Sequence, residues 1–305
     1  MNQKTIEKAV GCSGVGLHTG ERVHLTFHPA GADTGIVFAV ENQSGTRFLY
    51  PRPDCVIDTS LATNIGCNGD RLGTVEHVLG AVRGLGIDNV IIEVSGSEVP
   101  IMDGSAASFV LLLSQAGLKE QRARKKVYAL KRRISIGDEE KWIEAEPYPG
   151  FRVDYSIQFP HPLIGSQRKA FLGDAESFAR AISKARTFGF LHHVEMLQAR
   201  GLIAGGSLES ALVLDEAGVV NSEGLRFADE PVCHKLLDFI GDMALLPYPL
   251  HGAFRVHCAG HKLHNEFLCR LAAQESEYLE LKELGGVDSH HYPGTVGDVL
   301  QPVQA

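Results

Sequence analysis

The chain has 305 residues, of which 44% are hydrophobic and 22% charged, and a formal net charge of −8. Such a length and composition suit one large or two medium globular domains with a substantial core. The acidic balance excludes a general attraction to nucleic acid or anionic lipid, and no apolar run reaches the roughly 18–20 residues of a membrane span. Six isolated cysteines, with no C-x-x-C pair, argue against a cysteine-based zinc or redox centre. The opening MNQKTIEKAVGC lacks the apolar core of a signal peptide. A cytoplasmic protein with free thiols is therefore expected.

In chain order, Val23, Leu25 and Phe27 alternate with His24, Thr26 and His28 as in a half-buried strand. Residues 36–40 and 89–94 read as further strands. Thr74 is placed to cap a helix over 75–83 stopped by Gly84, and Ser105 one over 106–116 ended by Gly117. The basic run 119–133 reads as a solvated connector, with the two halves joined near 120–127. Strands follow at 128–136, 141–146 and 152–159, with a helix near 176–185. Residues 187–207 are Gly-rich and irregular, and then come a strand at 212–214, a helix from Pro231, a strand at 253–256 and a helix from Leu263. Each half mixes strands with about two helices, without regular β-α alternation, so the expected class is α+β in two domains. Their bounds are set at 1–124 and 125–284, with a flexible tail over 285–305.

The helix over DEPVCHKLLDFIGD (229–242) carries His234, Asp238 and Asp242 at steps of four. Each step advances about 40° around the axis, so the three share one stripe with Lys235, opposite an apolar face. Alone, such a pair is usually a solvated i,i+4 contact. Glu76-His77, in the first turn of another helix, offers the third ligand of a His2Asp set that leaves a fourth position for water. Glu76 would then stand beside that water as a general base. An isolated Glu there is otherwise explained by the helix dipole. His261 is a candidate proton donor with Asp242 as its partner; capping a turn explains it equally well. Thr187 and Lys235 are candidates for oxyanion or substrate contacts.

The motifs VGLHTG (15–20), TVEHVLGAVRGLGIDN (74–89), VPIMDGSAASFV (99–110), ARTFGF (185–190), GGS (205–207), HKLLDFIGD (234–242) and GHKLHN (260–265) occur in order. Together they resemble the zinc-dependent UDP-3-O-acyl-N-acetylglucosamine deacetylase family of bacterial lipid A biosynthesis, over about residues 3–275. The resemblance implies two α+β domains, each a sheet layered on a helix pair, with the helices packed face to face. It implies Zn2+ on His77, His234 and Asp238, Glu76 as base, and His261 as acid or electrostatic stabiliser with Asp242 as its partner. Thr187 would support the oxyanion. Lys235, Phe188, Gly206 and His18 would meet the acylated UDP-amino-sugar substrate, and Leu191, Val194 and Ile203 would flank its acyl chain.

The expected partner set is that substrate, no nucleic acid, at most a transient membrane-surface contact, and no second subunit. Ala62, Lys262 and His264 depart from the residues common in the family. The competing readings are a zinc hydrolase for another N-acyl substrate and a non-catalytic binder. Retention of Glu76 and His261 argues against the binder, which needs neither.

Overall fold

A computed structural model describes residues 1–42 and 45–285 of the chain. The expected flexible tail lies, Gly285 apart, outside the described residues. The class is α+β. A five-stranded sheet runs in the order Val10–Val15, Arg22–Pro29, Val90–Val94, Ile36–Asn42, Gly45–Leu49. Its neighbours are antiparallel except for Val90–Val94 beside Ile36–Asn42. The alternation read at Val23, Leu25 and Phe27 holds, and all three are buried.

A seven-stranded sheet is drawn from later residues. Its path is Ile134–Gly137, Trp142–Glu146, Leu250–His257, Lys126–Leu130, Leu279–Glu283, and Phe151–Gln158 also pairs with Leu250–His257 and carries Ser166–Phe171 outside it.

The helices are α1 (Glu76–Gly84), α2 (Ala107–Ala116), α3 (Ala175–Ser177, continued by a π turn over Phe178–Ile182), α4 (Leu191–Ala199), α5 (Glu230–Met243), α6 (His261–Ala273) and α7 (Glu275–Tyr278). Phe109 of α2 meets Phe27 of the first sheet edge to face. Phe239 of α5 and Phe267 of α6 pack on Phe254 of the second sheet. Each of these fully buried rings contributes roughly 1.5–3 kcal/mol of transfer free energy. With α1 packed against both α2 and α5, the order of layers is sheet, helices, helices, sheet.

Several local expectations need correction. Thr74 is not the cap of α1: its φ is +57°, and its hydroxyl donates to Glu98 Oε1 at 3.0 Å. The helix starts at Glu76 behind Val75, with no side-chain cap. Gly84 does not stop it through a left-handed turn; Gly86 takes that conformation at φ +73°, and Gly84 is small because the Phe178 ring lies against it. Ser105 does accept the Ala107 N–H at 3.1 Å, but α2 starts one residue later than read, and Gly117 ends it at φ +75° as expected.

The basic run is not a loop. Leu118–Arg124 is a strand paired with Asn2–Ile6, and Lys126–Leu130 joins the second sheet. On Leu118–Arg124 the charged residues Lys119, Glu120, Arg122 and Arg124 are all exposed, while Gln121 and Ala123 are half-buried. The strand read over 128–136 is split between Lys126–Leu130 and Ile134–Gly137, and the helix read near 176–185 is confined to α3 and its π turn. Residues 187–207, read as irregular, contain the strand Phe188–Phe190, paired in parallel with Leu212–Leu214, and α4. The largest revision concerns α5. Every residue of it except Lys235 is buried, so its polar stripe is enclosed against α1 and a cavity rather than spread over the outer surface.

Candidate metal centre and active site

The site begins with the approach of α1 to α5. Two glycines set that distance. A β-carbon on Gly80 would lie 2.8 Å from Leu237 Cδ1, and one on Gly241 would lie 2.0 Å from the Glu76 carbonyl oxygen. Helices in contact without those β-carbons place the first turn of α1 directly over the polar stripe of α5. His77 Nε2 then stands 3.6 Å from Asp238 Oδ1, and His234 Nε2 stands 3.2 Å from the same oxygen. The two imidazoles meet edge to face with centroids 5.0 Å apart.

Asp238 Oδ1 is buried and has no hydrogen-bond partner. A buried acceptor in that state is costly unless something else satisfies it. The rest of the cluster is prepared for a cation. His234 Nδ1 donates to the Ala185 carbonyl at 3.1 Å, which leaves the Nε2 lone pair facing Asp238. Burial pushes His234 down to about 3, so it stays neutral. Burial alone would raise Asp238, but the Lys235 ammonium, which donates to its Oδ2, holds it well below the usual carboxylate range. Three donors about 2.0–2.1 Å from a tetrahedral ion lie about 3.3–3.4 Å from one another. The observed separations of 3.2 and 3.6 Å bracket that value. The residues present fit zinc.

Beside this cluster are two arms that can carry protons. Glu76 is buried at the first residue of α1, and its Oε2 accepts the Thr63 N–H at 3.0 Å. Burial raises its pKa, which makes it a better proton acceptor than an exposed carboxylate. On the other side, Asp242 Oδ2 accepts from His261 Nδ1 at 2.8 Å and from His264 Nδ1 at 2.7 Å. Thr63 Oγ1 donates to Asp242 Oδ1 at 2.6 Å.

Burial works against charge on both partners of this pair. For Asp242, His261 and the hydrogen bonds prevail and bring it to about 2. For His261, the Asp242 carboxylate prevails and carries it up to about 9. Burial pushes His264 the other way, so of the two imidazoles on Asp242, His261 holds the proton. Tyr155 supports this end by donating to the Ala259 carbonyl at 2.7 Å, with its oxygen 3.3 Å from His264 Nε2.

Both arms and the metal cluster open on one cavity of about 600 Å³. Its wall contains Glu76, His77, Thr187, Phe188, His234, Lys235, Asp238 and His261, so eight of the residues singled out from sequence come together. Lys235 Nζ donates to Asp238 Oδ2 at 2.9 Å and stands 5.8 Å from the Phe188 ring centre. Thr187 is held through its backbone, N–H to the Gly104 carbonyl and C=O to the Leu212 N–H, both at 2.7 Å. Ala62 and Lys262 also line the cavity. His264 does not, and acts through Asp242.

Asp242 lies behind His261 rather than on the wall. His18, Leu191, Val194, Ile203 and Gly206 are outside the wall too. Leu191 and Val194 are half-buried on α4. The Ile203–Gly206 turn is tied to the 16–20 loop through Ala204 N–H to the His18 carbonyl at 3.3 Å and Gly205 N–H to the Leu17 carbonyl at 3.0 Å. Leu17 itself reaches the cavity. The sequence reading missed Thr63 and Tyr155, for which no local pattern exists. It also missed Arg186, although that residue stands in the ARTFGF motif. Arg186 is buried and donates from Nε to Glu230 Oε1 at 2.8 Å, fixing the residue before Thr187.

The family model described as UDP-3-O-acyl N-acetylglycosamine deacetylase matches residues 3–273. The UDP-3-O-acyl-N-acetylglucosamine deacetylase of Oleidesulfovibrio alaskensis is 51% identical over 305 residues, covering 100% of both chains. The protein of the same name from Nitratidesulfovibrio vulgaris is 52% identical over 290 residues, 95% of this chain and 94% of that one. One from Haemophilus influenzae is 44% identical over 281 residues, 91% of this chain and 92% of its own length.

Proposed function

The chain belongs to the UDP-3-O-acyl-N-acetylglucosamine deacetylase family, and we propose that it uses zinc on His77, His234 and Asp238 to remove acetate from the 2-acetamido group of the acylated UDP-amino sugar in lipid A biosynthesis. One observation carries the metal assignment: the unpartnered, buried Asp238 Oδ1 between two imidazole nitrogens. Bound zinc supplies a Lewis acid for the amide carbonyl and for the attacking water.

The chain's own groups supply the proton transfers. Glu76 takes a proton from water as its oxygen bonds to the acetyl carbon. His261, kept protonated by Asp242, gives a proton to the amide nitrogen as the C–N bond breaks, so the products are acetate and a free amine. Thr187 supports the developing oxyanion, and Lys235 supplies positive charge for the substrate. Phe188 starts an apolar lining that we extend through Leu191, Val194 and Ile203 to the acyl chain, with Gly206 and His18 at its edge. We also keep the division into domains 1–124 and 125–284, since the strands of the second sheet all come from the later segment.

Among the described residues no helix is long and apolar enough to cross a membrane. We place the enzyme in the cytoplasm as a monomer that touches a membrane surface transiently. The test has two parts. Purified protein should hold close to one equivalent of zinc, and protein that is active without bound metal would overturn the metal assignment. Acetate release should be faster from the acylated UDP sugar than from its unacylated analogue; equal rates would remove the acyl lining from the account.

A further inference from the structure

Thr63 lies at the end of the connection between Val56–Asp58 and Asn64–Cys67, 1% exposed, and each of its polar groups is committed. Its carbonyl accepts the Val75 N–H at 3.1 Å, in front of a helix that has no side-chain cap. Its N–H donates to Glu76 Oε2 at 3.0 Å. Its hydroxyl has one proton, and the 2.6 Å contact with the acceptor-only Asp242 Oδ1 takes it. The hydroxyl oxygen then faces the His261 Nδ1–H at 3.2 Å, a proton shared with Asp242 Oδ2.

We propose that Thr63 is a positioning residue that holds the Glu76 base and the Asp242–His261 pair in register, although none of its own atoms meets the substrate. The inference rests on the proton-transfer roles given above to Glu76 and His261. Two buried carboxylates that belong to opposite arms of the reaction are spanned by one residue, through its backbone on one side and its hydroxyl on the other. The hydroxyl also completes Asp242, whose Oδ2 is already taken by two imidazoles. Without it Oδ1 has no donor, and the carboxylate is free to rotate away from His261.

Thr63→Val keeps both backbone bonds and nearly the same shape while it removes the hydroxyl. With the acylated UDP sugar, kcat should fall about 10- to 100-fold, the usual cost of losing an outer partner of a metal site. KM and metal content should stay near wild type. Thr63→Ser should restore most of the rate, because it returns the donor without the methyl group. In an Asp242→Asn background, Thr63→Val should add little further loss, as expected for groups that act as one unit. A Thr63→Val enzyme with wild-type kcat would overturn the proposal. So would a Thr63→Ser enzyme as slow as Thr63→Val, or fully additive losses with Asp242→Asn. Glu76→Ala and His261→Ala serve as controls: if either is fully active, the proposed function fails and this inference with it, whereas inactive controls beside an unaffected Thr63→Val remove the inference alone.

Discussion

The carbonyl oxygen of Glu76 rests against Cα of Gly241, so close that a β-carbon there would be 2.0 Å away. That backbone contact sets the distance between the helix bearing His77 and the helix bearing His234 and Asp238. Gly241→Ala should push α1 off α5, destabilise the fold by about 1–3 kcal/mol as an overpacked core does, and weaken metal retention. Gly80→Ala should be milder, because its β-carbon crowds the movable end of Leu237 at 2.8 Å, while the backbone atoms near it, Leu237 O at 3.4 Å and Gly241 Cα at 3.7 Å, are at ordinary contact distance. Urea unfolding and zinc content after dialysis measure both effects. Wild-type metal retention in Gly241→Ala would show that the contact does not set the site.

Glu76 is beside the metal cluster without belonging to it. Glu76→Ala should therefore keep its metal and lose activity by about 10²–10⁴-fold, the range for a general base. Metal analysis with single-turnover acetate release tests this. Loss of metal, or retained activity, would reassign the residue.

The pH profile should report on Asp242. Its carboxylate raises His261 above an ordinary imidazole, and the donor form of His261 is the protonated one. Activity is therefore present at lower pH and lost as pH rises through the His261 pKa. Removing the negative charge in Asp242→Asn lowers that pKa, so the alkaline fall in kcat/KM should begin at lower pH than in wild type. The comparison is made with the same metal bound in both enzymes. An unmoved alkaline limb would break the link between Asp242 and the acid.

Arg186 and Glu230 form an ion pair buried at both ends, with side chains 2% and 0% exposed. Glu230 also accepts the backbone N–H groups of Arg186 and Arg226. Arg186→Leu should cost about 3–5 kcal/mol, because it leaves a buried carboxylate without its cation. Adding Glu230→Leu should recover part of that loss. Denaturant midpoints of the single and double variants decide it, and equal stability of Arg186→Leu and wild type would count against the pair. The activity of Arg186→Leu should fall as well, since Thr187 follows in the chain.

Much of the site was legible because its information is local. His234 and Asp238 lie four apart on a helix, and Glu76-His77 opens another. The partners of Asp242 were harder to see. Thr63 is 179 residues away in sequence, and nothing in LATN marks it as a donor. His264 stood out only as a departure from a motif, and its contact with Asp242 depends on where α6 settles against α5. The basic strand Leu118–Arg124 and the start of Lys126–Leu130 were missed for a different reason. Their charge density resembles a linker, while the pairing with Asn2–Ile6 and Leu279–Glu283 that makes them strands is non-local.

By itself the sequence determined which side chains are the candidates for the chemistry, and that His234, Asp238 and Asp242 share one side of a helix. Helix periodicity needs only near neighbours to be read. The tertiary structure alone decided that this side is buried, that Asp242 also takes His264 and Thr63 as partners, and that Thr63 spans both arms. Those outcomes depend on two helices meeting at Gly80 and Gly241, and such a contact exists only once the two sheets have brought the helices together.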